Sequence, residues 1–381
     1  MDLREDRYFG MSSRIAEWKE PSEFEDILSR AAENDSLARH LYVEYYRLKN
    51  EEYFEKGRSL AYDLLRKDQE IADNDNFEDL YEDMVYCLHR YGLSFQDYCI
   101  YGLRNKSEVC RKQFVSDKLR YYYCDLLNAP DVYELMTNKY LCYNAYKCFF
   151  KREVIPIISR SDKEEFLRFA KDKTSFIYKP LEEHSGHGVS LIDLNKINPS
   201  DWFDGMIAAQ GGIVEEVIQQ GEQLNNLNSH SVNTCRVEAF TMGKDVHIMG
   251  ATLRMGVGDS IMDNAGSGGI YASVDPETGI LQSDAKNYKN QHYIFHPTTG
   301  CQILGFQLPD WDKAKKLIQA MATHREGTTL IAWDIAYSEK GWCMVEANDN
   351  GDWSIIQSNL QKGKKKELYS LMDKYFTEKS K

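Results

Sequence analysis

The sequence contains no long apolar run and no closely spaced cysteine pair, and these absences exclude several classes of protein. No stretch approaches the ~18–20 consecutive apolar residues of a membrane-spanning helix, and the start, MDLREDRYFG, carries charges where a signal peptide would be apolar. The nine cysteines form no C-x-x-C pair and no spacing with histidine that would complete a zinc site. We therefore expect a cytoplasmic protein that does not insert into membranes.

Basic residues are also in the minority. Lys and Arg number 47 against 60 Asp and Glu, which gives a net charge of −13. Surfaces that bind nucleic acid depend on clustered Lys and Arg, so this balance argues against nucleic acid as a partner. The one basic run, residues 362–366, lies beside apolar residues at helical spacing and predicts the solvated face of a final amphipathic helix.

The length of 381 residues permits two or three subdomains, and the sequence pattern changes along the chain. Apolar and tyrosine residues recur every three or four positions up to about Asn128, which predicts helices, and Ser22 followed by Glu25 predicts a capping box at a helix start. After Pro156, short apolar runs bounded by Gly, Asn and Asp predict strands that alternate with helices. We expect an α+β protein with an N-terminal helical lobe (residues 1–130) and two α+β subdomains (residues 131–220 and 221–381).

Oxygen-bearing side chains occur together in a predicted hairpin near the C-terminus. Asp334 lies within LIAWDIAY, and the following strand, GWCMVEAN, carries Glu346 and Asn348 two positions apart, on one face of that strand. Magnesium prefers oxygen ligands and is usually held by one or two carboxylates with phosphate and water. The alternative is that these carboxylates merely end surface strands. The apolar neighbours of Asp334 make an unpartnered charge costly there, and this favours a metal site.

Two further segments suit a nucleotide. Lys179 ends an apolar strand and is followed by a glycine-containing loop, whose residues are Ser185, Gly186, His187, Gly188 and Val189. Glycines allow backbone to approach phosphates, and lysine neutralises them, although an ordinary hairpin turn would have the same pattern. Downstream, IVEEVI predicts a strand that leads into a turn, with Glu222 seven positions after Glu215.

In this order the segments resemble the ATP-grasp superfamily, and residues 92–357 resemble its sugar-transfer-associated branch. The narrower resemblance rests on SVNTCRVEAF, ATLRMGVGDSIMDNAGSGG, HPTTGCQILGFQLPDW and IAWDIAYSEKGWCMVEANDNGD. The resemblance implies the ATP-grasp fold, in which two α+β subdomains clamp ATP with magnesium, preceded here by the helical lobe.

The resemblance also implies roles for individual residues. Lys139 would approach the ATP phosphates, and Lys179 would contact adenine and the α-phosphate. Residues 185–189 would cover the phosphates, with His187 standing where a small or basic residue is expected. The adenine edge and the ribose would be read by a group of four residues: Glu215, Glu216, Ile218 and Glu222. The metal would be bound by three residues, with Glu346 bridging two magnesium ions: Asp334, Glu346 and Asn348.

Two arginines bear on the type of reaction. Arg236 and Arg254 lie on adjacent predicted strands, and this region resembles that of glutamate ligases that modify ribosomal protein. There the arginines hold the transferring phosphate and the substrate carboxylate, a task that suits a bidentate guanidinium. The alternative for each is a surface salt bridge. The glycine-flanked segment 256–269 would bind the acceptor, through residues that the resemblance marks out: Asp263, Asn264, Gly268 and Gly269.

These features together predict an ATP-dependent ligase that forms a C–N bond through an acyl phosphate, with work in surface-polysaccharide or glycoconjugate modification. Its partners would be a small molecule, saccharide or peptide that supplies the carboxylate or the amine, and homo-oligomerisation stays open. A kinase of the same fold acting on a sugar or polyol hydroxyl is one alternative. A catalytically silent nucleotide-binding scaffold is another, although keeping Lys179 together with the three predicted metal ligands argues against it.

Overall fold

A computed structural model describes residues 22–68, 76–182, 188–209 and 211–379. The chain divides into two compact units by its internal contacts. Unit 1 comprises Met1–Leu126, Lys286–His292 and Asp352–Lys381, and unit 2 comprises Leu127–Ala285 and Tyr293–Gly351. The division into residues 1–130, 131–220 and 221–381 stays a prediction.

The first described residues of unit 1 are helical, as predicted. Among the described residues up to 127, seven α-helices follow one another: α1 (Glu23–Ala32), α2 (Ser36–Lys49), α3 (Glu51–Leu65), α4 (Phe77–Tyr91), α5 (Phe95–Ile100), α6 (Glu108–Arg111) and α7 (Asp117–Leu127). The predicted capping box starts α1, because the Ser22 hydroxyl accepts from the Glu25 N–H while the Glu25 carboxylate accepts from the Ser22 N–H. Tyrosines pack between these helices. The Tyr42 ring meets the Tyr46 and Tyr86 rings edge to face at centroid distances of 5.1 and 5.4 Å.

A buried ion cluster ties the helices of unit 1 together. Arg111 donates to both carboxylate oxygens of Asp83 at 2.7 Å. Arg39 adds a third bond to Asp83 Oδ1 at 3.0 Å, and the Tyr98 hydroxyl donates to Oδ2 at 2.8 Å. A buried charge is tolerated when it is paired and hydrogen-bonded, and Asp83 meets that condition.

Unit 2 contains a small antiparallel sheet with helices beside it. Its elements in chain order are α8 (Val132–Thr137), α9 (Lys139–Phe150), β1 (Val154–Ile157), α10 (Lys163–Ala170), β2 (Ser175–Lys179), β3 (Ser190–Asp193), α11 (Pro199–Ala209), β4 (Gly212–Glu215) and α12 (Glu222–Asn225). The four strands have the order β1-β4-β2-β3. The strand predicted over IVEEVI ends at Glu215, so the residues after it form the start of a connection.

A larger sheet forms the second layer. It contains β5 (Thr234–Met242), β6 (Asp245–Met255), β7 (Ile270–Val274), β8 (Ala285–Lys286), β9 (His292–Tyr293), then, after α13 (Trp311–Ala322), β10 (Leu330–Ser338) and β11 (Gly341–Asn348). The order is β11-β10-β5-β6-β7-β8-β9. The β5–β6 and β10–β11 hairpins match the predicted ones. Helix α13 contributes Trp311, Ile318 and Met321 to the core that includes Trp333 and Trp342 of the sheet.

The β10–β11 hairpin contains a bulge. Asp334 pairs with Glu346, whereas the next residue of β10, Ile335, pairs with Met344. Val345 is therefore an extra residue in β11, and a bulge of this kind lets two residues of one strand oppose one of the other.

The chain ends with two helices of unit 1, α14 (Ser354–Ser358) and α15 (Lys365–Lys379). Helix α15 is the predicted amphipathic helix, because Leu368, Leu371 and Tyr375 are buried. Among the described residues, no helix is both long and apolar enough to cross a membrane.

Candidate functional site

A cavity of about 200 Å³ lies within unit 2, lined by residues from both sheets. It brings together many of the residues predicted from the sequence: Lys139, Lys179, Val189, Glu215, Glu216, Ile218, Arg254, Asp263, Asn264, Glu346 and Asn348. Apolar side chains, including Ile177, Ile213 and Phe150, complete the lining. A largely apolar cavity with a few convergent charges is the usual form of a small-molecule site.

A buried ion cluster lies at one end of the cavity. The Lys179 ammonium is 3.0 Å from Glu215 Oε1, and Arg152 donates to Glu215 Oε2 through Nε at 3.0 Å and Nη2 at 2.8 Å. Burial alone would raise the pKa of the Glu215 carboxyl, but Arg152 and Lys179 outweigh it and lower that pKa. Glu215 is therefore an ionised anchor that fixes the direction of Lys179.

Arg152 is a residue that the sequence reasoning missed. Besides Glu215, its guanidinium donates to the Met344 carbonyl at 2.5 Å and to the Val345 carbonyl at 3.3 Å. It thus joins the end of β4 to the bulge of β11, and its side chain is only 3% exposed. Arg152 follows a helix in a run of charged residues, KREV, and nothing in that pattern distinguishes it from an exposed basic residue.

Lys139 opens helix α9 and lines the cavity. Its backbone N–H donates to the Leu181 carbonyl at 3.0 Å, which holds the start of the helix against the segment after β2. Burial lowers the pKa of Lys139, although Glu346 opposes the shift. A cation that has lost hydration gains more from meeting an anionic ligand than an exposed one does.

Asp334 is held by two arginines. Arg236 donates from Nε to Oδ1 and from Nη2 to Oδ2, both at 2.8 Å, and Arg254 donates from Nη2 to Oδ2 at 2.9 Å. Asp334 is fully buried, and burial would raise its pKa, but the two guanidinium groups lower it. The cation that the sequence predicted beside this carboxylate is thus supplied, at least in part, by the protein itself.

Glu346 and Asn348 lie at the cavity wall on the strand next to Asp334. Burial, and then repulsion from Asp334, raise the pKa of Glu346. The Asn348 amide nitrogen is buried without a hydrogen-bond partner among the described residues. Two adjacent carboxylates, one of them with a raised pKa, and the Asn348 side-chain oxygen are oxygen ligands of the kind that a divalent cation prefers. The unsatisfied N–H group of Asn348 instead requires an acceptor.

These residues therefore fit magnesium. Glu346 and Asn348 line the cavity and carry oxygen ligands. Arginine N–H groups occupy three acceptor positions of Asp334, and its carboxylate is also hydrogen-bonded to Glu346. Within the described part of the chain, no group of three or more His, Cys, Asp or Glu side chains forms a metal site. The three predicted metal ligands, Asp334, Glu346 and Asn348, do not form such a group, because one of them is an amide side chain.

A second network positions Arg254. Its Nε and Nη2 donate to the Thr234 hydroxyl at 2.9 and 2.6 Å, and Thr234 in turn donates from its hydroxyl and its backbone N–H to Asp263. Burial raises the pKa of Asp263, although Arg254 opposes the shift. Arg254 is therefore held between Asp334 and Thr234 while it also lines the cavity.

The segment 256–269 is anchored from outside. His296, expected to be structural, donates from Nε2 to the Gly256 carbonyl at 2.9 Å, and the Gly258 N–H donates to the Thr298 hydroxyl at 2.7 Å. Gly269 is required for packing, because a Cβ there would lie 2.3 Å from the Asp263 carbonyl oxygen. The HPTTG sequence thus supports the segment that was predicted to bind the acceptor.

Several predicted residues do not line the cavity. Ser185, Gly186 and His187 fall outside the described residues. Arg236 and Asp334 are not among the lining residues, and Glu222, the predicted ribose ligand, is an exposed residue that opens α12. Two other groups of predicted residues are likewise not among the lining residues: Gly188 of the phosphate-covering loop, and Gly268 and Gly269 of the acceptor segment.

The family model for the sugar-transfer-associated ATP-grasp proteins matches residues 107–372. This match spans more than half of the chain, so the chain belongs to that family. Its two α+β layers, preceded by the N-terminal helices, are the ATP-grasp fold. The resemblance deduced from the four quoted segments and the predicted fold class are both confirmed.

Solved structures of ATP-grasp ligases show weaker similarity. An N5-carboxyaminoimidazole ribonucleotide synthetase in complex with ADP is 10% identical with a TM-score of 0.39, covering 75% of this chain and 61% of that chain. A D-alanyl-alanine synthetase A from Vibrio cholerae is 12% identical with a TM-score of 0.42, covering 66% and 68%. An L-amino acid ligase from Bacillus licheniformis is 12% identical with a TM-score of 0.38, covering 70% and 58%.

The chain thus spans 61% of the length of the first of these ligases. Similarity at this level is not evidence for a shared activity. No curated protein matches the chain.

Proposed function

We propose that this protein is an ATP- and magnesium-dependent ligase that activates a carboxylate as an acyl phosphate and joins it to an amine. The observation that carries the proposal is the composition of one cavity wall. Lys139, Lys179 and Arg254 present cations to the same cavity that Glu346 and Asn348 line with oxygen donors. A nucleoside triphosphate requires the cations to neutralise its phosphates, and its metal ion requires the oxygen ligands.

The residues divide the work between binding and chemistry. Lys179, fixed by Glu215, neutralises the nucleotide phosphates, and the backbone after β4 meets the adenine edge through Glu216 and Ile218. Lys139 adds a second cation for the phosphates. Bound through Glu346 and Asn348, with Asp334 as the predicted third ligand, magnesium would supply charge neutralisation for the phosphate oxygens.

Arg254 has the position for the transfer step. ATP's γ-phosphoryl group moves to a carboxylate oxygen, the bond to the β-phosphate oxygen breaks, and ADP leaves. An amine then attacks the carbonyl carbon and releases phosphate. Arg254 stabilises the charge that spreads over the transferring group, because its guanidinium is held rigidly by Asp334 and Thr234.

The acceptor is proposed to bind at segment 256–269, where Asp263 and Asn264 line the cavity. Loops carry specificity while the strands that support them stay rigid. The family name associates these proteins with sugar transfer, so we propose surface-polysaccharide or glycoconjugate modification, with a saccharide or a peptide as the acceptor. This last step rests on analogy with the family.

Two measurements test the reaction type. ADP release is first screened over pooled amino acids, sugar acids and amino sugars, and products are identified by mass spectrometry. Hydroxylamine is then added with the active acid and no amine. A ligase yields a hydroxamate, because hydroxylamine traps the acyl phosphate. Arg254→Ala is expected to depress trapping far more than it weakens ATP binding.

A kinase gives a different result in the same assay. A stable phosphate ester on a sugar hydroxyl, without any hydroxamate, would replace the ligase proposal by a sugar kinase. ATP binding without turnover on any pool would favour a nucleotide-binding scaffold.

A further inference from the structure

A second cleft lies wholly within unit 1, and none of its lining residues is assigned to the nucleotide. It consists of two joined cavities of about 910 and 400 Å³. Six residues line both cavities and so form their junction: Tyr46, Lys49, Leu88, His89, Gly92 and Lys118. The lining comes from helices α2, α4 and α7, with α3 and α5 added in the smaller cavity and α1 and α15 in the larger one.

The larger cavity is basic, although the protein carries a net charge of −13. Five cationic side chains line it: Lys49, Arg90, Lys112, Lys118 and Lys365. Three of them are paired, Lys49 with Glu25, and Arg90 and Lys112 with Glu33 at 2.7 and 2.6 Å.

The other two, Lys118 and Lys365, have no ion-pair partner among the described residues. Burial lowers the pKa of Lys365, with no acidic group to oppose the shift. Cations brought together without their own anions favour the binding of an external anion.

The same cavity contains buried polar atoms without partners. The Tyr91 hydroxyl and the Arg90 Nε have no hydrogen-bond partner within the described part of the chain, and Tyr91 is only 8% exposed. Buried donors of this kind normally have a partner, so each of these is a position where a bound ligand or water would complete a hydrogen bond.

The smaller cavity is aromatic. Tyr53, Phe54, Tyr81 and Phe95 line it. At the junction the His89 ring stacks on the Tyr46 ring at 3.6 Å between centroids and 10° between planes. Burial, with a contribution from Lys118, lowers the pKa of His89 to about 4, so the imidazole is neutral at neutral pH. The junction therefore presents the uncharged rings of Tyr46 and His89 next to the larger, basic cavity.

We propose that this cleft binds a phosphate monoester attached to a ring, with the phosphate between Lys118 and Lys365 and the ring against the aromatic wall. Aromatic faces accept either a sugar ring or an aromatic ring, and in both cases the ligand is a ring joined to a phosphate. The cleft lies in a different unit from the ATP cavity, and the inference does not depend on the proposed ligase activity.

Calorimetric titration of the full-length protein tests this binding. The probes are inorganic phosphate, glucose, phenol, α-D-glucose 1-phosphate and phenyl phosphate, each without ATP. We expect one of the two ring phosphates to bind at least about tenfold more tightly than inorganic phosphate or its neutral ring, because both halves of the cleft then contribute. The stronger of the two identifies the ring as sugar or aromatic.

Four variants locate the binding. Lys118→Ala combined with Lys365→Ala is expected to weaken the ring phosphate by about tenfold or more, whereas Lys366→Ala, an exposed neighbour outside the cleft, is the matched control and should change nothing. Tyr53→Ala, on an exposed ring of the aromatic wall, should weaken the ring phosphate but not inorganic phosphate. Lys179→Ala in unit 2 should leave the titration unchanged.

Other results overturn the proposal. Absence of binding by every probe at millimolar concentration would do so, as would equal losses in Lys366→Ala and the double variant. Loss of binding in Lys179→Ala would place the anion in the ATP cavity instead. If glucose or phenol bound as tightly as its phosphate ester, the lysines of the larger cavity would contribute nothing to binding.

Discussion

Each unit of the protein contains a buried aspartate held by two arginines. In unit 1, Asp83 accepts from Arg111 and Arg39, and in unit 2, Asp334 accepts from Arg236 and Arg254. The bond lengths are similar, from 2.7 to 3.0 Å. As ion clusters the two are nearly equivalent, so what distinguishes them is their surroundings.

The surroundings differ in what the cluster faces. The Tyr98 hydroxyl donates a fourth hydrogen bond to Asp83. Neither Arg39 nor Arg111 lines the larger or the smaller cavity of unit 1. Asp334 instead faces a second carboxylate, Glu346, and one of its arginines, Arg254, lines a cavity. The same arrangement therefore serves packing in unit 1, whereas in unit 2 it is suited to chemistry. A buried ion cluster indicates function only where one of its members reaches a cavity.

The largest expected effect tests the structural half of this comparison. Asp83→Asn removes the charged partner that the buried Arg111 guanidinium contacts with two hydrogen bonds, and it leaves Arg39 paired with Glu108 alone. We expect a loss of roughly 3–5 kcal/mol in the free energy of unfolding. ATP affinity of the folded protein should not change. Chemical denaturation and nucleotide titration measure the two quantities, and Asp79→Asn, on the exposed side of the same helix, is the control. A loss of ATP affinity without a loss of stability would contradict the assignment.

The functional half is tested by Glu346→Gln. We expect turnover to fall by ~100-fold or more, because the variant removes one charge from the proposed metal site. Stability should hold or rise slightly, since burial and Asp334 raise the pKa of Glu346 and the neutral amide removes that penalty. Steady-state kinetics and thermal melting measure both, with the exposed Glu339→Gln of the same hairpin as control. Full activity in Glu346→Gln would exclude the metal assignment.

Mild acid should weaken the contribution of His89 to the stability of unit 1. The folded pKa of His89 is lowered to about 4 from an ordinary value of 6.5, so the unfolded chain binds a proton first as pH falls. The contribution is complete above pH 6.5 and is lost between about 6.5 and 4, by about 2 kcal/mol at pH 5 and about 3 kcal/mol in full.

Other groups also titrate as the pH falls. Burial raises the pKa of Asp97 in unit 1 to about 7, which opposes the loss from His89, and burial lowers the pKa of His296 in unit 2. The pKa of Glu215 is lowered from an ordinary 4.5, so its contribution is lost only below that value. The native protein and His89→Phe are therefore compared by hydrogen exchange in unit 1 at pH 7 and 5. His89→Phe should lose less protection over this range, and an identical response in the two proteins would exclude His89 as a source of the loss.

The smallest expected effect concerns Arg152. Arg152→Lys keeps the charge beside Glu215 but loses the planar guanidinium that reaches both bulge carbonyls. We expect ATP affinity to fall by roughly tenfold, because Lys179 and Glu215 are held less firmly. Isothermal titration measures it, with the exposed Arg160→Lys as control. If Arg152→Lys binds ATP as tightly as the native protein, Arg152 has no part in positioning that pair.

The sequence predicted the parts of this structure that depend on local pattern. The capping box at Ser22, the two long hairpins and the convergence of Glu346 and Asn348 with Lys179 follow from periodicity, spacing and the family resemblance. What could not be predicted depends on contacts between distant residues. Arg152 reads as a surface cation until its partners, Glu215 and the carbonyls of β11, are brought to it by the sheets.

The sequence also did not show which groups neutralise Asp334. Its apolar neighbours indicated that this carboxylate needs a cation nearby, but two arginines from β5 and β6 supply much of that positive charge. The predicted ribose ligand, Glu222, shows the converse, since its spacing after Glu215 is suitable while its position at the exposed start of α12 leaves it outside the cavity lining.

The bulge in β11 makes one strand serve two different purposes. In an unbroken strand, side chains alternate strictly, so Met344, Glu346 and Asn348 would all project to the same side of the sheet. Because Val345 is an extra residue, the alternation is reset: Met344 pairs with Ile335 and packs in the core, while Glu346 pairs with Asp334 on the opposite side.

The two carbonyls that lie at this reset, those of Met344 and Val345, are the ones that accept from Arg152. Deleting a single residue, Val345, would thus be expected to exchange the polar and apolar faces of the strand beyond it, turning Glu346 and Asn348 into the core. The number of residues in β11 therefore determines on which side of the sheet Glu346 and Asn348 lie, as much as the identity of those residues does.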